Sequence, residues 1–274
     1  MTDLIITHEP YLRFGVFVSV LFLMIIAETV LPKKARTLPR AHRWLTNFLF
    51  VAVDTIFVRL LFPIVAVGVA IIATEENWGL FNLTALPIWI EVFLAIIVLD
   101  MMIYWQHVAS HHIPVLWRMH KVHHADRDID VTTGSRFHPI EIGLSMGYKM
   151  LLVVLLGPPV LAVILFEIIL NGCAMFNHSN IKLPVKADRV LRWFIVTPDM
   201  HRIHHSTKMT ETNSNFGFSL SLWDRLFGSY IQEPEKGHDG MKIGLSEYQD
   251  KAPASLIWSL VLPFKSVKQF KTWL

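Results

Sequence analysis

Four long apolar stretches constrain what this chain can fold into more than any other feature of its sequence. The first, "LRFGVFVSVLFLMIIAETVL" at 12–31, has the roughly 20 residues that a helix needs to cross a bilayer. Others follow at about 48–73, 88–106 and 143–176. The 274-residue chain has a mean hydropathy of +0.44 and only 17% charged residues. It is too apolar for an ordinary soluble domain, so we predict an all-α, multi-pass integral membrane protein.

The fourth stretch is interrupted by "GPP" at 157–159. This interruption leaves arms of about 14 and 17 residues, near the lower length limit for a bilayer crossing. Two such arms predict a hairpin that returns to the side from which it started. The first stretch is interpreted as an uncleaved anchor, because it is long for a signal peptide, lacks a small-x-small cleavage site and is followed by Lys33 and Lys34.

The charges of the loops predict an orientation. The loop between the first two stretches carries Lys33, Lys34, Arg36, Arg40 and Arg43. The segment "TEENWGLFNLTALP", between the second and third, has no Lys or Arg. By the positive-inside rule the first loop is cytoplasmic. The third span then delivers the histidines that follow it to a histidine-rich cap on the cytoplasmic side.

Composition excludes other classes of protein. The formal net charge is +3, and the basic residues lie beside apolar runs rather than among aromatic residues, so we expect no nucleic-acid partner. The single cysteine, Cys173, lies in an apolar segment. A disulfide framework, a cysteine zinc site and an iron–sulfur cluster are therefore excluded.

Histidines crowd into the segments "HVASHH", "HKVHH" and "HRIHH". On a helix that advances about 100° per residue, His107 and His111 lie about 40° apart, whereas His112 points about 140° away from His107. We therefore exclude His112 from any shared site. The same arithmetic directs the three histidines of "HKVHH" into one sector, and likewise those of "HRIHH". Clustered polar side chains near a bilayer are costly without a ligand, which favours a metal site.

Nine imidazoles form the candidate ligand set: His107, His111, His120, His123, His124, His178, His201, His204 and His205. This number exceeds what one four-coordinate zinc ion takes. Two metals would take about four or five donors each and keep open positions, as non-haem iron does, although zinc, copper or nickel also suits nitrogen donors. Haem held by two histidines would not account for the His-His doublets.

The ordered segments "DMMIYWQHVASHHIPVLWRMHKVHH", "SRFHPIE", "FNHSN", "DMHRIHH", "NSNFG" and "WDRLFGSY" resemble the fatty acid hydroxylase and sterol desaturase superfamily of membrane di-iron oxygenases. The resemblance covers roughly residues 100–230. It implies a helical fold with a histidine-rich cap that binds two iron ions. It also implies O2-dependent hydroxylation or desaturation of a lipid. The nine histidines match the histidine boxes of the family, with His178 as the isolated histidine before the last box.

Some positions depart from the family pattern or have open roles. His178 is not followed by a second histidine four residues later, so one ligand is missing or replaced in this region, where Asn180 lies. His138 is a candidate tenth ligand, a residue that supports a ligand or a residue of the substrate pocket. Asp100 and Asp199 are candidates for accepting a hydrogen bond from a ligand's second nitrogen, or alternatively a cap or surface acid.

The resemblance also implies an electron source outside the chain, because the sequence has no fused cytochrome b5 segment, flavin-binding glycine loop or haem attachment motif. We expect a ferredoxin or a cytochrome b5-like protein. Lys121, Arg127, Arg202 and Lys208 flank the histidines and would offer such a carrier a basic surface, or alternatively meet lipid headgroups.

We divide the chain into an N-terminal transmembrane region at 1–99, a catalytic region at 100–230 and a C-terminal tail at 231–274. In the tail, Lys265, Lys268 and Lys271 form one helical stripe, which predicts an interfacial helix on anionic lipid or a helix packed on the cap. "NSNFG" is expected to orient a ligand or line the site, or alternatively to form a turn, and "WDRLFGS" to brace the last box.

Two functions remain open at this stage. The first is a membrane di-iron lipid hydroxylase or desaturase. The alternative is a histidine-rich membrane metal-binding or transport protein, which would carry polar ligands within its spans rather than beyond their cytoplasmic ends.

Overall fold

A computed structural model describes residues 6–265. The regular elements in this part of the chain are helices, which confirms the all-α prediction. The long ones are α1 (Glu9–Val30), α2 (Arg40–Leu61), α3 (Ala66–Glu75), α4 (Ile88–His112), α6 (Pro139–Leu156) and α7 (Val160–His178). The short ones are α5 (Pro114–His124), α8 (Val185–Leu191), α9 (Pro198–His204), α10 (Met209–Thr212), α11 (Leu222–Leu226), α12 (Gly237–Gly240) and α13 (Leu256–Val261).

Five helical segments between residues 6 and 265 are long and apolar enough to cross a membrane: Glu9–Val30, Arg40–Glu75, Ile88–His112, Pro139–Leu156 and Val160–His178. The prediction of an integral membrane protein therefore holds. The second span is not one continuous helix, as the sequence suggested. Phe62 is extended because Pro63 follows it, and α2 ends there before α3 begins at Ala66.

The hairpin at "GPP" forms as predicted. Helix α6 has 18 residues and α7 has 19, so both arms are longer than the apolar runs suggested. Gly157 ends α6 with a φ of 59°, and a side chain there would collide with the Trp78 carbonyl. The two prolines that follow suit the start of α7. Since His178 at the end of α7 contacts His123, which precedes α6, the hairpin returns to its starting side.

A buried ion-pair cluster ties the start of α2 to the segment after α5. Arg43 Nε lies 2.6 Å from Asp126 Oδ1, and its Nη1 lies 2.6 Å from Asp130 Oδ2. Asp130 also caps the 3-10 turn Val131–Ser135, which packs on α7. These contacts join the predicted N-terminal region, 1–99, to the predicted catalytic region, 100–230. The division into three regions stays a prediction.

The tail packs on the cap over its described part. Leu262 joins Phe50, Trp117 and Val122 in one buried apolar cluster, with side chains of α13 packed against it. The helical stripe and its two alternative roles stay a prediction, because the packed residues all precede the stripe. Lys268 and Lys271 of the predicted stripe lie outside the described residues.

Candidate metal centre

The nine histidines singled out in the sequence form two adjacent groups inside the protein. Within each group the candidate ligand atoms all lie within 4.8 Å of one another, and every member is buried. The first group consists of His107, His111, His120, His124 and His204, and the second group of His123, His178, His201 and His205. His112 lies outside both groups with an exposed side chain, as the helical-face argument predicts.

The local fold explains why these rings converge. Ile113 is extended because Pro114 follows it, so the chain turns between α4 and α5 and the histidines of both helices meet. The ends of α7 and α9 supply the remaining rings. Two of the three His-His doublets contribute one ring to each group: His123 and His124 are divided between them, and so are His204 and His205. The sequence placed each triplet in one sector and did not anticipate this division.

Backbone carbonyls hold the Nδ1 atoms of four ligand candidates. His107 Nδ1 lies 2.7 Å from the Phe216 carbonyl, and the Nδ1 atoms of His123, His178 and His204 lie 3.2, 2.7 and 2.8 Å from the carbonyls of Arg136, Ala174 and Ser214. A carbonyl oxygen only accepts hydrogen bonds, so each of these Nδ1 atoms carries the proton. Each Nε2 then has a free lone pair for a metal.

Two side-chain oxygens hold the Nδ1 atoms of two further rings in the first group. Glu141 Oε1 lies 2.6 Å from His120 Nδ1, and Asn213 Oδ1 lies 3.3 Å from His111 Nδ1. Asn213 confirms that "NSNFG" lies where it can orient a ligand. The contact of Glu141 with His120 was not expected from the sequence, although Glu141 stands in "RFHPIE". The sequence signal for this role is an acid in the first turn of the helix that begins after His138. The sequence does not show towards which part of the protein that turn faces.

The Nε2 atoms face one another too closely for metal-free neutral rings. His178 Nε2 lies 3.0 Å from both His123 Nε2 and His201 Nε2. Because carbonyls fix the protons of His178 and His123 on Nδ1, their Nε2 atoms present two lone pairs to each other. Among the described residues, the buried Nε2 atoms of His111, His204 and His205 have no hydrogen-bond partner. A cation in each group would satisfy these atoms, so the donor set fits metal.

Burial keeps the imidazoles neutral. It lowers the pKa of His204 to about 3, and lowers the pKa of His123, His124, His201 and His205 well below the ordinary value. The neighbouring imidazoles add to this effect, because a second positive charge nearby is unfavourable. A neutral ring is the form that binds metal.

Four further candidates lie outside both groups. His138 caps α6, and its two ring nitrogens contact the Ile140 amide and the Leu260 carbonyl at 3.2 Å each. Asn180 exchanges hydrogen bonds with the backbone of Lys34. Asp199 forms ion pairs with Lys33 and Arg202, and Asp100 accepts hydrogen bonds from the Leu220 amide and the Trp223 indole. None of these contacts reaches a ring of either group, so their assignment as ligands or direct supports stays a prediction without support from this geometry.

Asp224 of "WDRLFGS" supports a ligand candidate of the first histidine box, His107, whereas the bracing of the last box expected from the sequence stays a prediction. The Asp224 carboxylate accepts hydrogen bonds from the amides of Phe216 and Gly217 at 2.7 and 2.8 Å. It thereby fixes the peptide whose carbonyl holds His107. Asn215, with a φ of 50°, binds backbone groups of Met200 and Ile231 and supports the same loop.

Glu141 should tune the metal affinity of the first group. We expect Glu141→Ala to weaken it about 10- to 100-fold, because His120 loses the oxygen that fixes its proton and ring. Glu141→Gln should keep most of the affinity, since an amide oxygen still accepts the bond. Competition with a chromophoric chelator measures both variants. Unchanged affinity in Glu141→Ala would contradict the assigned role.

Comparisons with known proteins agree with this geometry. A family model for fatty acid hydroxylases matches residues 92–229, half of the chain. The chain is 29% identical to alkylglycerol monooxygenase of Xenopus tropicalis over 62% of its length and 37% of that protein. It is 28% identical to ornithine lipid hydroxylase OlsE of Rhizobium tropici, with coverage of 54% and 44%. It is 27% identical to human lathosterol oxidase, with coverage of 57% and 48%.

The chain thus spans less than half the length of these curated relatives. No solved structure gives a significant match. The matched region contains all nine histidines of the two groups together with Glu141 and Asn213. This chain belongs to the fatty acid hydroxylase family.

Proposed function

We propose that the protein is a membrane-bound di-iron oxygenase that hydroxylates or desaturates a lipid with O2 and electrons supplied from outside the chain. The observation that carries the proposal is the pair of buried histidine groups with inward-facing lone pairs. Membership of the family and the names of the relatives, which are lipid monooxygenases, hydroxylases and oxidases, support it.

One metal ion would be held by the five rings of the first group and one by the four rings of the second. Iron supplies, when bound, the redox chemistry that activates O2 and cleaves an unactivated C–H bond. Iron suits these sites because imidazole is a ligand for iron, and sets of five and four donors would leave open positions on an ion that takes about six ligands.

The chain's own residues prepare this chemistry. The Phe216, Arg136, Ala174 and Ser214 carbonyls keep the ligand protons on Nδ1, so the rings need not change tautomer when metal binds. The rings are at most 6% exposed, which excludes bulk water from the centre. Glu141 and Asn213 orient two further rings.

The alternative of a metal transporter is not favoured. Transport would place polar ligands along the spans, whereas the candidate ligands lie at the ends of α4 and α7 and in the short helices α5 and α9. The comparisons match the chain to lipid-oxidising enzymes.

Electrons would come from an acidic carrier such as a ferredoxin or a cytochrome b5-like protein. The sequence predicted a basic surface formed by Lys121, Arg127, Arg202 and Lys208. This prediction is wrong for Lys121 and Arg202, because both are buried. A cavity of about 610 Å³ offers a better place for the carrier to approach. Its lining includes Lys33, Lys34, Arg36, Arg127 and Lys242, against the acids Asp128 and Asp239. Opposite charges would steer the carrier to this surface.

The decisive experiment is reconstitution with defined metal and defined donor. Iron-loaded protein in lipid vesicles, with NADPH, a reductase and ferredoxin or cytochrome b5, should oxidise lipid, and added salt should slow turnover. Zinc-loaded protein should be inactive, because zinc has no redox chemistry. Turnover with zinc, or with NADPH in the absence of a carrier protein, would refute the proposal.

We further propose that the histidine centre faces the cytoplasm, as the basic residues between α1 and α2 suggest. Single cysteines at Lys242 and Glu76, in a Cys173→Ser background, provide the test. A membrane-impermeant thiol reagent should label Lys242→Cys only in inverted vesicles and Glu76→Cys only in right-side-out vesicles. The opposite pattern would reverse the assignment.

A further inference from the structure

A groove of about 230 Å³ lies where α4, α5 and α6 meet. We call it the α4–α6 groove. Its lining is formed by Trp105, Gln106, Ala109, Ser110, Leu116, Met119, Glu141, Leu144 and Tyr148. Most of this surface is apolar, and none of the lining residues is a lysine or an arginine.

The groove adjoins the first group of histidines. Glu141 links the two, because its Oε1 lies 2.6 Å from His120 Nδ1 while the residue also lines the groove. Gln106 and Ser110 directly precede His107 and His111 on α4. A molecule in the groove would therefore lie beside the proposed metal site.

The outer wall of the groove opens on the surface of two candidate membrane spans. Trp105 of α4 is 42% exposed and Leu144 of α6 is 53% exposed. Exposed aromatic and aliphatic side chains on spanning helices contact lipid chains. An apolar chain can thus enter the groove from the side without crossing a polar surface.

The two buried polar atoms of the groove that lack a hydrogen-bond partner among the described residues are both acceptors. Glu141 Oε2 and Gln106 Oε1 are buried and have no hydrogen-bond partner among the described residues. The hydroxyl donors in the lining are already used: Ser110 donates to the Gln106 carbonyl at 3.0 Å and Tyr148 to the Met102 carbonyl at 3.2 Å. Buried acceptors without a donor are unfavourable, so the groove is suited to a ligand that brings one.

From these observations we infer that the α4–α6 groove binds a neutral lipid that carries a hydroxyl group. The apolar chain would lie against Leu116, Met119 and Leu144, and the hydroxyl would donate to Gln106 Oε1 or Glu141 Oε2. An ionised carboxylate or phosphate offers no donor, would meet the Glu141 carboxylate and would find no cation in the lining. The identification of this lipid as the substrate rests on the proposed function, whereas the binding preference does not.

The test compares a dibrominated long-chain alcohol with the dibrominated fatty acid of the same chain length, at a pH where the acid is ionised. Bromine on the chain quenches the fluorescence of Trp105, and a Trp105→Phe variant identifies that component of the signal. In detergent-solubilised full-length protein, we expect the alcohol to bind at least about tenfold more tightly than the acid.

Variants of Gln106 then test the contact. Gln106→Leu should lower the affinity for the alcohol about tenfold, and Gln106→Glu, which keeps an acceptor oxygen, should retain it. Gln106→Met is the second variant without an acceptor in case Gln106→Leu does not fold. Equal binding of acid and alcohol, or unchanged alcohol affinity in the variants without an acceptor, would overturn the inference.

This assay needs neither iron nor turnover, so its failure is distinguishable from failure of the proposed function. Selective alcohol binding by a protein that oxidises no lipid would leave the inference standing and refute the oxygenase. Lipid oxidation by a protein that binds the acid as well as the alcohol would support the oxygenase and overturn the inference about the groove.

Discussion

His178→Ala is expected to abolish lipid oxidation and to remove metal from the second group alone. His178 Nε2 lies 3.0 Å from the Nε2 atoms of both His123 and His201, so its ring is central to that group. With three rings left, the second site should lose its ion while the five rings of the first group keep theirs. Metal analysis should show iron falling from about two ions per chain to about one.

His111→Ala is the matched variant for the first group, and His112→Ala is the control on the same helix. The His112 side chain is exposed and outside both groups, so its variant should keep its metal and most of its turnover. Loss of iron in His112→Ala equal to that in His111→Ala would contradict the assignment of the ligands. Full turnover in His178→Ala would show that the second group is not needed for the reaction.

Arg43→Ala should destabilise the fold by about 3–5 kcal/mol, because it leaves two buried carboxylates without their cation. Arg43 is 1% exposed and binds both Asp126 and Asp130. Burial alone would raise the pKa of Asp126, but the charge and hydrogen bond of Arg43, together with Arg136 and Thr133, outweigh burial and lower that pKa below its ordinary value. Arg43→Ala removes this attraction. It also removes the ion pairs that hold α2 to the segment after His124.

Arg59→Ala on the same helix is the control, since Arg59 is exposed. Unfolding in detergent, followed by tryptophan fluorescence, gives the free energy of unfolding for both variants and the parent protein. We expect Arg59→Ala to lie within about 0.5 kcal/mol of the parent. An Arg43→Ala protein as stable as the Arg59→Ala protein would show that the buried ion pairs do not stabilise this fold.

Short chain segments connect the Arg43 cluster to the candidate metal centre. Asp126 follows His124 by two residues, and Asp130 caps the 3-10 turn whose Gly134 packs against the Ala174 carbonyl and His178. A side chain at Gly134 would lie 2.8 Å from that carbonyl, which is the oxygen that holds His178. Stability of the cap and the geometry of the second group therefore depend on the same contacts.

Much of the fold was predictable because the bilayer imposes a simple length rule. Apolar runs of about 20 residues identified the spans, and the glycine and prolines at 157–159 identified the hairpin. The break at Phe62 was not anticipated, although Pro63 is a local signal for it. The burial of Lys121 and Arg202 could not be predicted from the sequence, because burial of a charged residue depends on segments distant in the chain.

The sequence by itself determined which histidines of each segment share a direction and that His112 does not, because the 100° advance of a helix fixes the relative directions of neighbouring side chains. Only the tertiary structure decided how those rings divide into two groups, since α7 and α9 approach α4 and α5 from separate parts of the chain. It also decided which oxygens hold the ligand protons. The carbonyls of Phe216 and Ser214 and the carboxylate of Glu141 come from loops and helix ends, and helical periodicity carries no information about their positions.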